Sequence, residues 1–131
     1  MDENKKLYTI GGRAFVQEAL VLGQELWLAE HVFDGFQMQA LTLEDVWKIV
    51  KTKGALLFAV ILTPEEQTRA EKVTAGWEAV RELEAWFLAN MEPSEMLSSK
   101  VIQDFFVLNQ QGNLWMLVEH QFVKEARTMT G

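Results

Sequence analysis

Residues 55–62 read ALLFAVIL, an unbroken apolar run, and the fold turns on whether they form a strand or a helix. The run is far short of the roughly 20 apolar residues that span a bilayer, so it belongs to a protein core. At this length a buried strand and a buried helical segment look alike, and periodicity alone does not separate them. The surroundings do. As a strand, the run would find only an N-terminal hairpin to pair with, because the other segments have helical spacing. A helix is therefore expected.

Upstream, KKLYTIGGRAFVQEAL (residues 5–20) places Gly11-Gly12 between two short runs carrying Tyr8, Ile10, Phe15 and Val16. Two adjacent glycines accept the positive φ of a tight hairpin turn. An isolated hairpin is marginal in water, so this one must lie on something helical. In residues 20–36, LVLGQELWLAEHVFDGF, Leu22, Leu26, Ala29, Phe33 and Phe36 recur at helical spacing and predict a core-facing stripe, ended by Gly35. In TLEDVWKIVKTKG (residues 42–54), Thr42 is the expected N-cap with Asp45 three residues on. Leu43, Val46, Trp47 and Val50 form its apolar face, and Gly54 is the expected C-cap.

Downstream, Thr63 reads as a cap and Pro64 as the first residue of one long helix running to Asn90, about 40 Å at 1.5 Å per residue. Val73, Trp77, Val80, Leu83 and Phe87 mark its buried face. Pro93 ends it and Ser94 starts the next. In that helix Leu97, Val101, Phe105 and Leu108 step as a core-facing stripe, while Ile102 and Phe106 lie about 100° further round. Gly112-Asn113 precedes a last helical segment, residues 114–126. The expected fold is mainly α (α+β): an N-terminal β-hairpin packed on a bundle of four to six helices. Residues 1–131 form one domain, with a hairpin at 1–20, a helical body at 21–126 and a tail at 127–131.

Composition narrows the function. The 131 residues are 49% hydrophobic and carry a net charge of -7, with a pI near 4.8. Phosphate binding needs clustered Lys and Arg, so neither nucleic acid nor an anionic membrane is an expected partner. There are no cysteines, which excludes disulfides, thiolate nucleophiles and zinc ribbons. Met1-Asp-Glu-Asn-Lys-Lys leads into a strand-like run, not a secretory signal, so a water-soluble cytosolic chain is expected.

Two histidines, His31 and His120, lie apart without the spaced acids that complete a metal site. Ser94, Ser98 and Ser99 lack a nucleophile elbow, and Ser94 is explained by capping. Gly11-Gly12 precedes a strand, not a phosphate-cradling helix. The 19 acidic residues are expected on solvated helix faces. Neither enzyme nor cofactor is expected. The tryptophans 27, 47, 77, 86 and 115, with the adjacent pairs Trp86-Phe87 and Phe105-Phe106, suit either a wide core or an exposed apolar surface. The second face of residues 94–109, Ile102 and Phe106 extended by Trp115 and Phe122, is the expected partner or self-association surface.

The order of parts, LYTIGGRAFVQEAL then LVLGQELWL, then LLFAVILTPEE and finally PSEMLSSKVIQDFFVLN, resembles the tail assembly chaperones of long, non-contractile-tailed bacteriophages and related prophages. Thr9-Ile10-Gly11-Gly12-Arg13, the Leu-x-x-Gly-Gln-like step, and Pro93 followed by Val101, Ile102, Phe105 and Phe106 carry the likeness. The resemblance implies a non-enzymatic protein of the host bacterial cytoplasm, absent from the mature virion. It would bind and solubilise the tape-measure protein, help recruit tail-tube protein, and self-associate into rings or spirals. The family also makes a C-terminally extended form by frameshifting, and a chain ending in TMTG would be the short one. From another class, a small acidic helical adaptor for one folded partner, or a structural subunit of a particle, fits the same composition.

Overall fold

The computed structural model describes residues 5–36, 42–97 and 100–108, with Leu43, Leu97 and Phe106 described in backbone only. Strands β1 (Lys5–Ile10) and β2 (Arg13–Glu18) pair antiparallel, with Tyr8 opposite Phe15. Gly11 and Gly12 join them at φ 56° and 80°, the two successive positive values of a type I′ turn. The hairpin is as the Gly-Gly pair predicts.

The apolar run 55–62 is helical almost to its end. Helix α2 (Leu43–Ile61) passes directly into β3 (Leu62–Pro64), and β3 pairs antiparallel with β2, Val16 facing Thr63 and Gln17 facing Leu62. The sheet order is β1-β2-β3. The hairpin thus gains a third strand from the last residue of the run and the two that follow. This corrects the expected helix start at Thr63-Pro64. A residue before proline is biased toward extended backbone, and an edge strand tolerates the missing N–H, so the pair suits β3 as well as it suits a helix start.

The helix begins later, at a signal of its own. Thr68 Oγ1 accepts from the Glu71 amide and Glu71 Oε1 accepts from the Thr68 amide, each at 3.1 Å, a capping box for α3 (Arg69–Ala75). Gly76, at φ 92°, then separates α3 from α4 (Trp77–Asn90). The expected 40 Å helix is therefore two shorter ones. Pro93 opens α5 (Pro93–Leu97), a position where its missing N–H leaves no helical bond unmade, and α6 spans Lys100–Leu108.

Two further expectations change. Gly54 does not cap α2. The helix kinks at Lys53 (φ -132°, ψ 22°) and continues, and Gly54 is placed against the Met96 thioether, where a Cβ would collide. The Thr42–Asp45 capping box is as expected, with both bonds at 3.1 Å. Helix α1 (Leu22–Trp27) runs on as a π-helical segment, Leu28–Val32. The wider turn rotates the register, so the stripe drawn at regular α spacing holds only in its second half: Phe33 is buried and Phe36 packs on the core, whereas Leu22 and Leu26 are 69% and 51% exposed and Gln24, Glu25, Leu28 and Val32 are buried instead.

Around α2 the core closes. Phe15, Phe58, Phe87 and Phe105 are buried from four different elements. Phe15 and Phe58 both meet the Phe87 ring, at centroid distances of 4.9 and 6.0 Å. Val80, Leu83 and Phe87 of α4 are buried as their spacing predicts, and α4 packs along α2. Mainly helical, with an N-terminal antiparallel sheet, the chain matches the expected class.

Candidate interaction surfaces

Side chains alternate across a strand, and the two faces of this sheet part company. Phe15 and Gln17 are buried on the inner face. There the Tyr8 hydroxyl donates to Asp104 Oδ2 at 2.6 Å, and Gln17 Nε2 donates to Tyr8 Oη at 2.9 Å and to the Val101 carbonyl at 3.2 Å. The network fastens α6 to the hairpin. Burial, reinforced by the bond to Asp104, raises the Tyr8 pKa above its ordinary value. Gln17 Oε1 is buried without a hydrogen-bond partner among the described residues.

At the α2–β3 junction a second buried polar group does similar work. Lys72 of α3 donates to the Val60 carbonyl at 2.7 Å and to the Leu62 carbonyl, and Gln24 of α1 donates to the same Val60 carbonyl at 2.9 Å. Those carbonyls sit where the helical ladder ends and would otherwise lack partners. Burial pushes the Lys72 ammonium down to about 7. Asp104 and Glu25 are buried, which corrects the expectation that the carboxylates lie on solvated faces for these two.

On the outer face Lys5, Leu7 and Thr9 are exposed and Val16, opposite Leu7, is half-buried. A trough of about 550 Å³ runs over Leu7 and Val16 to Thr68 and Arg69. A second, about 610 Å³, continues past Thr68 and Arg69 to Leu22, Gly23 and Val73. Glu18 lies where they join, its carboxylate 3.3 Å from Lys5 Nζ and 2.7 Å from Arg69 Nε. Gly23 permits the close approach of α1 to α3: a Cβ there would meet Val73 Cγ1 at 2.7 Å. Leu7 is 70% exposed. The trough therefore presents apolar surface on either side of an ionic waist in which Glu18 is shared by Lys5 and Arg69.

The residues expected to form the partner surface are only partly placed. Val101 and Phe105 are buried, as the core-facing stripe requires, and Leu108 is half-buried. Ile102 is half-buried and packed against the core. The side chain of Phe106, and all of Trp115 and Phe122, lie outside the described residues, as does His120. Trp77 stacks on His31 with centroids 4.0 Å apart, and Trp86 packs on Phe15 at 5.5 Å. Trp47, expected on the buried face of α2, is exposed with Leu26, Leu88 and Val107. The outer-face trough escaped the sequence reading. Its signal was the period of two in β1, which sends Leu7 opposite to Tyr8.

Among the described residues no group of three or more His, Asp or Glu is placed to hold a metal, and no helix is long and apolar enough to cross a membrane. Comparison with protein-family models, with curated proteins and with solved structures found no match.

Proposed function

We propose that the chain is a non-enzymatic assembly chaperone. In this reading it binds the tape-measure protein of a long, non-contractile bacteriophage tail, keeps it soluble in the host bacterial cytoplasm, aids tail-tube assembly, and leaves before the virion is complete. The observation that carries the reading is the joined trough on the outer sheet face, bordered by Leu7 and Leu22, each about 70% exposed. A contiguous exposed apolar patch marks an interaction site where single exposed side chains do not, and an amphipathic helix is a natural occupant of an apolar trough with polar rims. A tape measure, as a long chain of such helices, offers that stripe repeatedly. The net charge of -7 keeps copies crowded along one client from precipitating. Self-association into rings or spirals belongs to the same reading.

Co-expression with the product of the gene immediately downstream tests it. The expected result is a long helical polypeptide that pellets alone and co-purifies in soluble form with this chain. Capture of a single small folded protein instead, with no effect on the solubility of a long helical one, would favour the adaptor and overturn the chaperone.

A further inference from the structure

Helix α3 is fastened to the rest of the chain differently from its neighbour. Helix α4 buries Val80, Leu83 and Phe87, whereas the one buried side chain of α3 is Lys72. Val73 faces Gly23 and is half-buried; the other attachments are polar. Lys72 Nζ donates to the Val60 and Leu62 carbonyls. Arg69 donates to the Ala19 carbonyl and reaches the Glu18 carboxylate at 2.7 Å. A turn at residues 65–67 and Gly76, at φ 92°, bound the helix, so it can leave without breaking the ladder of α4. Elements with few buried apolar contacts are the first to open.

We propose that α3 is a proton-coupled latch: it opens as a unit over the α2–β3 junction while the sheet, α2 and α4 stay folded, and protonation of Lys72 favours the open state. A neutral amine has two N–H groups, and the site offers two carbonyls; the third N–H of the ammonium finds no partner among the described residues. A buried ammonium also needs a countercharge, and the surrounding groups supply none. Arg13 of β2 and Glu66 of the turn pair with each other at 3.0 Å, Glu18 of β2 holds Arg69, and Glu71 caps Thr68. Among the described residues, neither Glu82 of α4, which lines the same cavity as Lys72, nor the buried Glu25 of α1 makes an ion pair with it. Burial holds the closed-state amine at about 7, against an ordinary 10.5. Between those values the open state binds a proton that the closed state lacks, so opening grows as pH falls; below 7 both states are charged and the dependence ends. Opening frees the Val60 and Leu62 carbonyls and takes Lys72 out of the wall of a cavity of about 330 Å³, lined also by Arg13, Leu83 and Trp86. It removes a wall from each outer-face trough as well, since Thr68 and Arg69 line both. The latch thus makes the formation of that face depend on pH, whatever binds there.

Trypsin reads the latch directly, because Arg69 lies in α3 and Arg81 in α4. Initial cleavage rates at these two bonds in the full chain, each divided by the rate for a short peptide of the same local sequence, report how often each helix opens. Normalised cleavage after Arg69 is expected to be roughly tenfold faster than after Arg81, or more. It should rise about tenfold as the pH falls from 9 to 8. In Lys72→Met that rise should shrink to less than about twofold; Lys72→Gln, which keeps an N–H donor and does not titrate, serves where Met prevents folding. Equal normalised rates after Arg69 and Arg81 would show that α3 does not open on its own and would overturn the latch. A wild-type rate that stays flat from pH 9 to 8, or a rise that survives in the variant, would overturn Lys72 as the group that senses the proton.

Discussion

On the inner face of the sheet Phe15 and Gln17 are fully buried; one residue away on the same strands, Leu7 is 70% exposed and Val16 half-buried on the outer face. Backbone, register and neighbours are shared, so the difference lies in what covers each face. Helices α4 and α6 close the inner one, whereas the outer one is bordered only at its margin by α1 and α3. In the proposed reading, adjacent residues of one hairpin separate stability from recognition. Substitutions on the two faces should give unlike phenotypes.

The largest effect is expected at the inner face. Phe15→Ala removes a ring packed against Phe87 and Trp86 and should cost about 3–5 kcal/mol in chemical denaturation. A loss under 1 kcal/mol would mean that the inner face is not the core. Lys72 gives a pH signature on the order of a few kcal/mol. Its folded pKa, about 7, lies below the ordinary 10.5, so between those values the unfolded chain holds a proton that the folded chain lacks. Stability should therefore rise from pH 7 toward pH 10 and be lowest below 7. Lys72→Met should flatten that rise, and an equal slope in the variant would assign it elsewhere.

Smaller again is Tyr8→Phe, which leaves Asp104 and Gln17 without their shared hydroxyl and should cost about 1–3 kcal/mol by thermal melting. At the other end of the series, Leu7→Ser on the outer face should change stability by less than about 0.5 kcal/mol.

Much of the scaffold was readable from short-range chemistry. Gly11-Gly12 announces the hairpin, Thr42 with Asp45 the start of α2, and the Val80, Leu83 and Phe87 spacing the buried face of α4. The failures have physical causes. Thr63-Pro64 is as good an edge strand as a helix start, and the true signal, Thr68 with Glu71, lay five residues further on. The π turn after Trp27 breaks the period on which the Leu22–Leu26 stripe depends. Tyr8 and Asp104 are 96 residues apart, and no local pattern links them. The site was less legible than the fold, because exposure of Leu7 follows from which face the helices cover, a long-range fact.

The central claim is that the outer face is kept for a client while the inner face holds the fold. The most direct test is the fraction of the downstream long helical polypeptide kept soluble by Leu7→Ser/Leu22→Ser, with the melting temperature measured on the same preparation. The account predicts a melting temperature within a few degrees of wild type and a client that returns to the pellet. A variant that melts normally and still holds the client in solution would contradict it.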